Sequence, residues 1–342
     1  MSRPLVVGDA PFPTPNEDEI VVKNAYVGIN GVDYKLQEFD WMNMKYPTIL
    51  GAEVAGKVVA VGPLAKEFQV GDRVIGFCHF FVTGNSRNAG FQEYTVLISS
   101  FATRIPDGMP LKSAVVLPVT LCTAATALFT EENLALPLSV EQLLDPSKQD
   151  SGSSSGTVLI WGGSSGVGCS TIQLARAAGL RVVTTASKQN WDLCKSLGAR
   201  EVFDRNSDSV VDDIVAALQG RPLIGAVNAI GTPDTLQACV DVLVKTESRK
   251  FIGNTIPVDD SVDLKGVKAH NFHAYKLLQG GLASKFWKDF LPQALEKGIV
   301  VPKPDAVVVG KGLEDIQSAL DTAKKSHSAS KLIVALEDTS ST

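Results

Sequence analysis

Residues 157–168, TVLIWGGSSGVG, constrain the fold of this chain more than any other stretch. An apolar run of buried-strand length enters a loop of Gly162, Gly163, Ser164, Ser165, Gly166, Val167 and Gly168. A run with helical spacing, CSTIQLARAAG, follows. Glycines let the backbone turn tightly and come close to a ligand. The helix that opens behind them offers unpaired N–H groups and a partial positive charge, which suit a pyrophosphate. The spacing through Gly163, Gly166 and Gly168 is G-x-x-G-x-G, not G-x-G-x-x-G, and a glycine triplet alone also fits a tight turn with no ligand.

The surrounding chain favours the phosphate reading. Beyond residue 156, strand-like runs (TVLIWG, LRVVTTAS, EVFD, IGAVNAI, KFIGN) alternate with helical ones (NWDLCKSLGA, SVVDDIVAALQG, PDTLQACVDVLV). This rhythm predicts an α/β fold with a doubly wound parallel sheet. The first ~110 residues read differently: EIVVKNAYVGI, GKVVAVG and DRVIGF are short apolar runs punctuated by Gly and Pro, which suit a small β-rich domain. Between the two, KSAVVLPVTLCTAATALFTEENL reads as a helix. Residues 145–156, rich in Ser, Gly and Asp, read as an exposed loop.

The end of the second strand bears on the dinucleotide. Enzymes that use NAD place an acid there to bind the ribose 2′-hydroxyl. Here Ser187 and Lys188 occupy the place, and Arg205 follows the third strand. A hydroxyl and cations suit a 2′-phosphate, so NADP(H) is the expected cofactor. Lys188 equally fits an ordinary solvated lysine at a helix start.

Other function classes are disfavoured. The formal net charge is −5 and no basic stripe interrupts the sequence, which argues against a nucleic-acid partner. The apolar stretch near the N-terminus is broken by Gly8, Asp9 and prolines, too short for a signal segment or a membrane span. Five widely spaced cysteines without a C-x-x-C read as buried hydrophobes in a reducing compartment, so a cytoplasmic location is expected.

With these parts placed, the chain resembles the medium-chain dehydrogenase/reductase family along nearly its whole length. GAEVAGKVVAVG and FQVGDRVIGF match its G-x-E-x-x-G-x-V and G-D-x-V patterns, and GGSSGVGCSTIQLAR resembles its quinone-reductase branch. The resemblance implies a GroES-like β-rich catalytic domain from residues 1–122 and 290–342, around a Rossmann NADP(H)-binding domain at 123–289. NGVDYK, LPVTLCTAATALF, TTASKQNWDLCKSLGA and GLEDIQSALDTAKKSHSASKLIVAL are similar to fungal trans-acting polyketide enoyl reductases. Zinc-dependent members carry metal ligands where this chain has Asn30, Ala52 and Val119; Ala and Val have no donor, so no metal site is expected. Glu53 is then expected to be structural, paired with a backbone group or an arginine.

The resemblance also implies a chemistry: hydride delivery to an activated C=C of an α,β-unsaturated carbonyl, with hydrogen-bond donors holding the negative oxygen. Lys35, Tyr34 and Thr123 are the candidate catalytic residues. Lys35 is expected to hold the cofactor ribose or phosphate or to donate to the substrate oxygen; it also fits a solvated lysine, Tyr34 a packed ring and Thr123 a helix residue bonding its own backbone, and water is an alternative proton source. Val32, Asp33, Ile252, Gly253, Ser330 and Lys331 join the loop residues as expected cofactor contacts. The implied substrate is a small-molecule or carrier-bound unsaturated acyl group, with a polyketide synthase as a partner. Quinone or ketone reduction on the same scaffold, NADPH binding without turnover, and a non-redox step are the alternatives.

Overall fold

The computed structural model describes residues 4–40, 43–145, 147, 156–325 and 328–336. Most of the serine-rich stretch at 145–156 lies outside them. Along the chain the strands are β1 (Glu19–Gly28), β2 (Glu53–Val61), β3 (Arg73–Phe77), β4 (Tyr94–Ile98), β5 (Ala102–Arg104), β6 (Thr157–Trp161), β7 (Arg181–Ala186), β8 (Glu201–Asp204), β9 (Leu223–Asn228), β10 (Phe251–Asn254), β11 (Lys268–Asn271), β12 (Asp305–Lys311) and β13 (Ser330–Ala335). The chain divides into two compact units, residues 1–119 with 287–342, and 120–286.

Unit 1 is built on a seven-stranded sheet in the order β12-β13-β1-β2-β3-β5, with β4 also paired to β1. One long edge of β1 is shared: β4 takes residues 19–23 and β13 takes 26–28, while β2 runs along the other edge. The chain's two ends therefore meet in one sheet, because β12 and β13 come from the C-terminal segment. Alternating apolar positions of β1 (Ile20, Val22) and of β2 (Val54, Val58) face a core closed by Leu36, Leu97, Ile316 and Leu320.

Helix Gly31–Phe39 interrupts this β-rich region, where the sequence pattern predicts only strands. Its nine residues carry few apolar positions, with Asp33 and Leu36 its buried residues. Its start is set by Asn30, in extended backbone, whose N–H donates to Asp33 Oδ2 at 2.8 Å. The single helix expected near 112–134 is two, Leu111–Ala114 and Pro118–Phe129, because Pro118 opens a new helix and cannot continue an old one. Among the described residues, 111–129 is the one stretch long and apolar enough to cross a bilayer by length and composition, and most of it is buried.

Unit 2 carries a six-stranded sheet in the order β11-β10-β9-β6-β7-β8, with each adjacent pair parallel. Counted from β6, this is the 3-2-1-4-5-6 order of a Rossmann fold, with its switch point between β6 and β9. Strand β6 is buried at every position, as a central strand covered on both faces must be. All five cysteines are buried and none is in a disulfide.

Candidate functional site

In unit 2 the loop after β6 lies at the carboxyl end of the sheet's switch point, where open α/β sheets bind ligands. The loop is tied down by β7: Gly163 N–H donates to the Thr185 carbonyl at 2.9 Å and Gly162 N–H to Thr185 Oγ1 at 3.0 Å. Ser165 caps helix Gly166–Ala177, its Oγ accepting from Gly168 N–H at 3.0 Å and donating to the Gly162 carbonyl at 2.8 Å. A Cβ on Gly168 would sit 2.2 Å from the Gly162 carbonyl oxygen, so only glycine lets the helix close on the strand. Val167 lies in the first turn of that helix, and Ser164 Oγ accepts from Asn190 Nδ2 at 3.3 Å. The cradle and its capped helix fit a pyrophosphate.

Beside it, β7 and β8 end in register, Ala186 opposite Asp204, so Ser187 and Arg205 leave the sheet side by side. Arg205 N–H donates to the Ala186 carbonyl at 3.2 Å. The Lys188 ammonium is 3.6 Å from Asp204 Oδ2 with its side chain 74% exposed, a pair worth little in water. This sheet edge presents a hydroxyl and two cations. Ile252 is wholly buried in the core, and an added Cβ on Gly253 would meet the Phe272 ring at 3.1 Å. Both lie in a strand laddered on its two sides, so their side-chain positions face packing.

Unit 1 holds the strongest electrostatics. Continuing the register of β1 with β2 places Gly28 opposite Glu53, and that of β1 with β13 places Asn30 opposite Lys331. The four positions share one face. Glu53 and Lys331 thus reach toward each other across the end of β1, and their charges meet at 2.7 Å with side chains 0% and 9% exposed. Gly28 makes this possible: a Cβ there would lie 2.2 Å from Glu53 Oε1. Asn30 Nδ2 donates to Glu53 Oε1 at 2.9 Å, and Lys331 Nζ donates to Asn30 Oδ1. Glu53 Oε2 accepts the Val119 N–H at 2.8 Å, where a carboxylate meets the N-terminus of helix Pro118–Phe129.

One expectation changes here. Glu53 pairs with a backbone group, as read from the sequence, but its cation is Lys331 and not an arginine. Lys331, expected at the cofactor, has its ammonium committed to Glu53 and Asn30 inside unit 1. Asp33, also expected there, is fully buried at the start of helix Gly31–Phe39. Burial pushes its carboxyl up to about 7, against the opposing pull of the Asn30 N–H and of Lys331. Its Oδ1 has no hydrogen-bond partner. Val32 and Tyr34 are half-buried against the unit 1 core, and Lys35 is half-buried on the same helix. Ser330 opens β13, and Thr123 is half-buried on helix Pro118–Phe129 in unit 2.

A sheet unit made from both chain ends, and a parallel sheet in Rossmann order with a glycine cradle at its switch point, define a two-unit dehydrogenase/reductase. Residues 16–107 match the alcohol dehydrogenase GroES-like domain, and residues 166–296 match the family described as zinc-binding dehydrogenase. The chain belongs to the medium-chain dehydrogenase/reductase family. It is 40% identical to the dehydrogenase pigH of Monascus ruber, over 97% of this chain and 96% of that one. It is 39% identical to the trans-enoyl reductase himH of Aspergillus japonicus, over 97% and 94%. In fold it is similar to the Escherichia coli quinone oxidoreductase complexed with NADPH (TM-score 0.71, 18% identity, 96% of this chain and 95% of that one).

The raised Asp33 carboxyl has a consequence for stability. The folded protein holds this proton to about pH 7, whereas the unfolded chain releases it near 3.8. Folding therefore takes up a proton between those values, and stability falls as pH rises through the window, levelling off above it. The effect is at most about 4 kcal/mol. Asp33→Asn removes it: urea midpoints of wild type and variant should diverge between pH 4.5 and 7, the wild type losing ground. Parallel curves would show that Asp33 is not held neutral.

Proposed function

We propose that the protein is an NADP(H)-dependent reductase of activated C=C bonds that works without a metal ion. Its substrate is an α,β-unsaturated acyl group, free or tethered to a carrier of a polyketide synthase. The observation that carries this reading is the chemistry around Glu53. A catalytic zinc asks for about three protein ligands with N, S or O donors. Among the described residues no three His, Cys, Asp or Glu side chains gather to hold a metal ion. The Glu53 carboxylate already has an ammonium, an amide and a backbone N–H on its oxygens. That donor set does not fit zinc, despite the name of the family matched by residues 166–296.

Without a Lewis acid, an activated C=C is an easier target than a simple ketone, because the charge moves to an oxygen that needs only hydrogen-bond donors. The name of the himH relative, trans-enoyl reductase, supports the same reading.

NADP(H), when bound, supplies the hydride. The chain's own part is to bind and to handle the proton. Gly163, Ser164, Ser165, Gly166 and Val167 would hold the pyrophosphate, and Ser187, Lys188 and Arg205 the 2′-phosphate. Lys35 would donate to the substrate oxygen, with Tyr34 giving a proton at the α-carbon and Thr123 placed beside the reacting centre. Lys35 makes no ion pair among the described residues, so its donors are available for this task.

Three outcomes test the reading. The Lys188→Ala/Arg205→Ala double variant should raise the KM for NADPH about 10- to 100-fold, the loss of charge-assisted hydrogen bonds to a phosphate, while that for NADH stays within about twofold. Equal changes for both cofactors would remove this edge from the 2′-phosphate site. With NADPH and a panel of enoyl thioesters, enones, quinones and simple ketones, the unsaturated carbonyls should turn over fastest. Lys35→Ala should lower that kcat about 100-fold with unchanged folding. An unchanged rate would take Lys35 out of the mechanism, and turnover of quinones or ketones alone would replace the substrate class.

A further inference from the structure

Lys331 and Lys35 are nearly 300 positions apart in sequence, yet the structure connects them through one short path. The Lys331 ammonium donates to Asn30 Oδ1, while Asn30 Nδ2 donates to Glu53 Oε1 at 2.9 Å. Both ends of the Asn30 amide are therefore held, one by each member of the buried ion pair. Asn30 is the residue on which helix Gly31–Phe39 begins, and its own N–H is fixed by Asp33 Oδ2 at 2.8 Å. Tyr34 and Lys35 lie on the first turns of that helix.

The helix needs such an anchor. It has nine residues, two of them buried, and its polar ties to other elements lie toward its C-terminal half, Gln37 Nε2 donating to Gln317 Oε1 at 2.6 Å and Lys324 pairing with Glu38 at 2.8 Å, so its first turn depends on Asn30. Its last turn contains no cation of its own, and the one that reaches it, Lys324, pairs with Glu38. The anchor also joins separate elements. Glu53 begins β2, Lys331 lies on β13, and Glu53 Oε2 takes the Val119 N–H of a third segment at 2.8 Å. Gly28 is the gap that lets the two charges meet, since a Cβ there would come within 2.2 Å of Glu53 Oε1.

We propose that Lys331 is a positioning residue: seated on Glu53, it clamps the Asn30 amide and so fixes the turn of helix that presents Tyr34 and Lys35. Its ammonium is held by Glu53 and Asn30. The clamp has three side chains, Lys331, Glu53 and Asn30, and the strand end at Gly28 makes room for them. The kinetic part of this inference rests on the proposed role of Lys35; the structural part does not.

The test uses the full chain with Glu53→Gln and Lys331→Met together, which removes both charges at once and leaves neither buried alone. Amide hydrogen exchange is read without ligand. Helix Gly31–Phe39 should lose about tenfold or more of its protection while helix Gly166–Ala177 keeps its own. Unchanged protection, or equal loss in both helices, would overturn the proposal.

In turnover with an enone and NADPH, the pair variant should lose at least about tenfold in kcat. Adding Lys35→Ala to it should cost no more than about twofold beyond Lys35→Ala alone, because both changes act on the same group. Effects that multiply would overturn the positioning role. If the wild type turns over no substrate in the panel, the proposed function fails, and the exchange measurement still decides this one.

Discussion

A buried ion pair crossing the end of a β-strand organises unit 1. Glu53 on β2 and Lys331 on β13 meet at 2.7 Å over Gly28 of β1, almost without solvent. Neither charge is tolerable there alone. Removing one partner of such a pair costs about 3–5 kcal/mol, because the other is left uncompensated in a low-dielectric interior. The arrangement thus links the chain's early strands to its final strand, and it holds both ends of the Asn30 side-chain amide. The Glu53 carboxylate is met there by the protein's own cation.

Unit 2 rests on a different constraint, close approach of backbone. Helix Gly166–Ala177 can lie against the end of β6 only because Gly168 has no side chain, and Ser165 then satisfies the helix start. Its N-terminus is left pointing at the switch point of the sheet. The register of β7 with β8 brings Ser187 and Arg205 to neighbouring positions on the adjacent edge. The first feature suits a dinucleotide's pyrophosphate; the second sets a hydroxyl and a cation beside it.

Much of this was legible in the sequence. TVLIWGGSSGVG and the alternating runs after it specify strand, loop and helix by periods of about 2 and 3.6 residues, which are local signals. The missing acid at Ser187 and Lys188 was legible for the same reason. Lys331 was not, because its partner is 278 positions away and only the pairing of β13 with β1 and β2 brings them together. Helix Gly31–Phe39 was hidden in a β-rich region because it is short and weakly apolar, and its start depends on a clamp supplied from elsewhere in the sheet. Strand β11, KAHN, has no strand-like pattern; it forms by pairing in parallel with β10. Pro118, which divides the expected long helix, was visible, but it reads equally as the start of a helix or a kink within one.

The central claim, that Lys331 provides the only cation at Glu53 among the described residues, is tested most directly by metal analysis of the purified, active protein. Elemental measurement should find well under about 0.1 zinc per chain, and exhaustive chelation should leave turnover unchanged, since a zinc site needs about three donors and no three His, Cys, Asp or Glu side chains gather among the described residues. One tightly held zinc per chain, lost together with activity, would contradict the account.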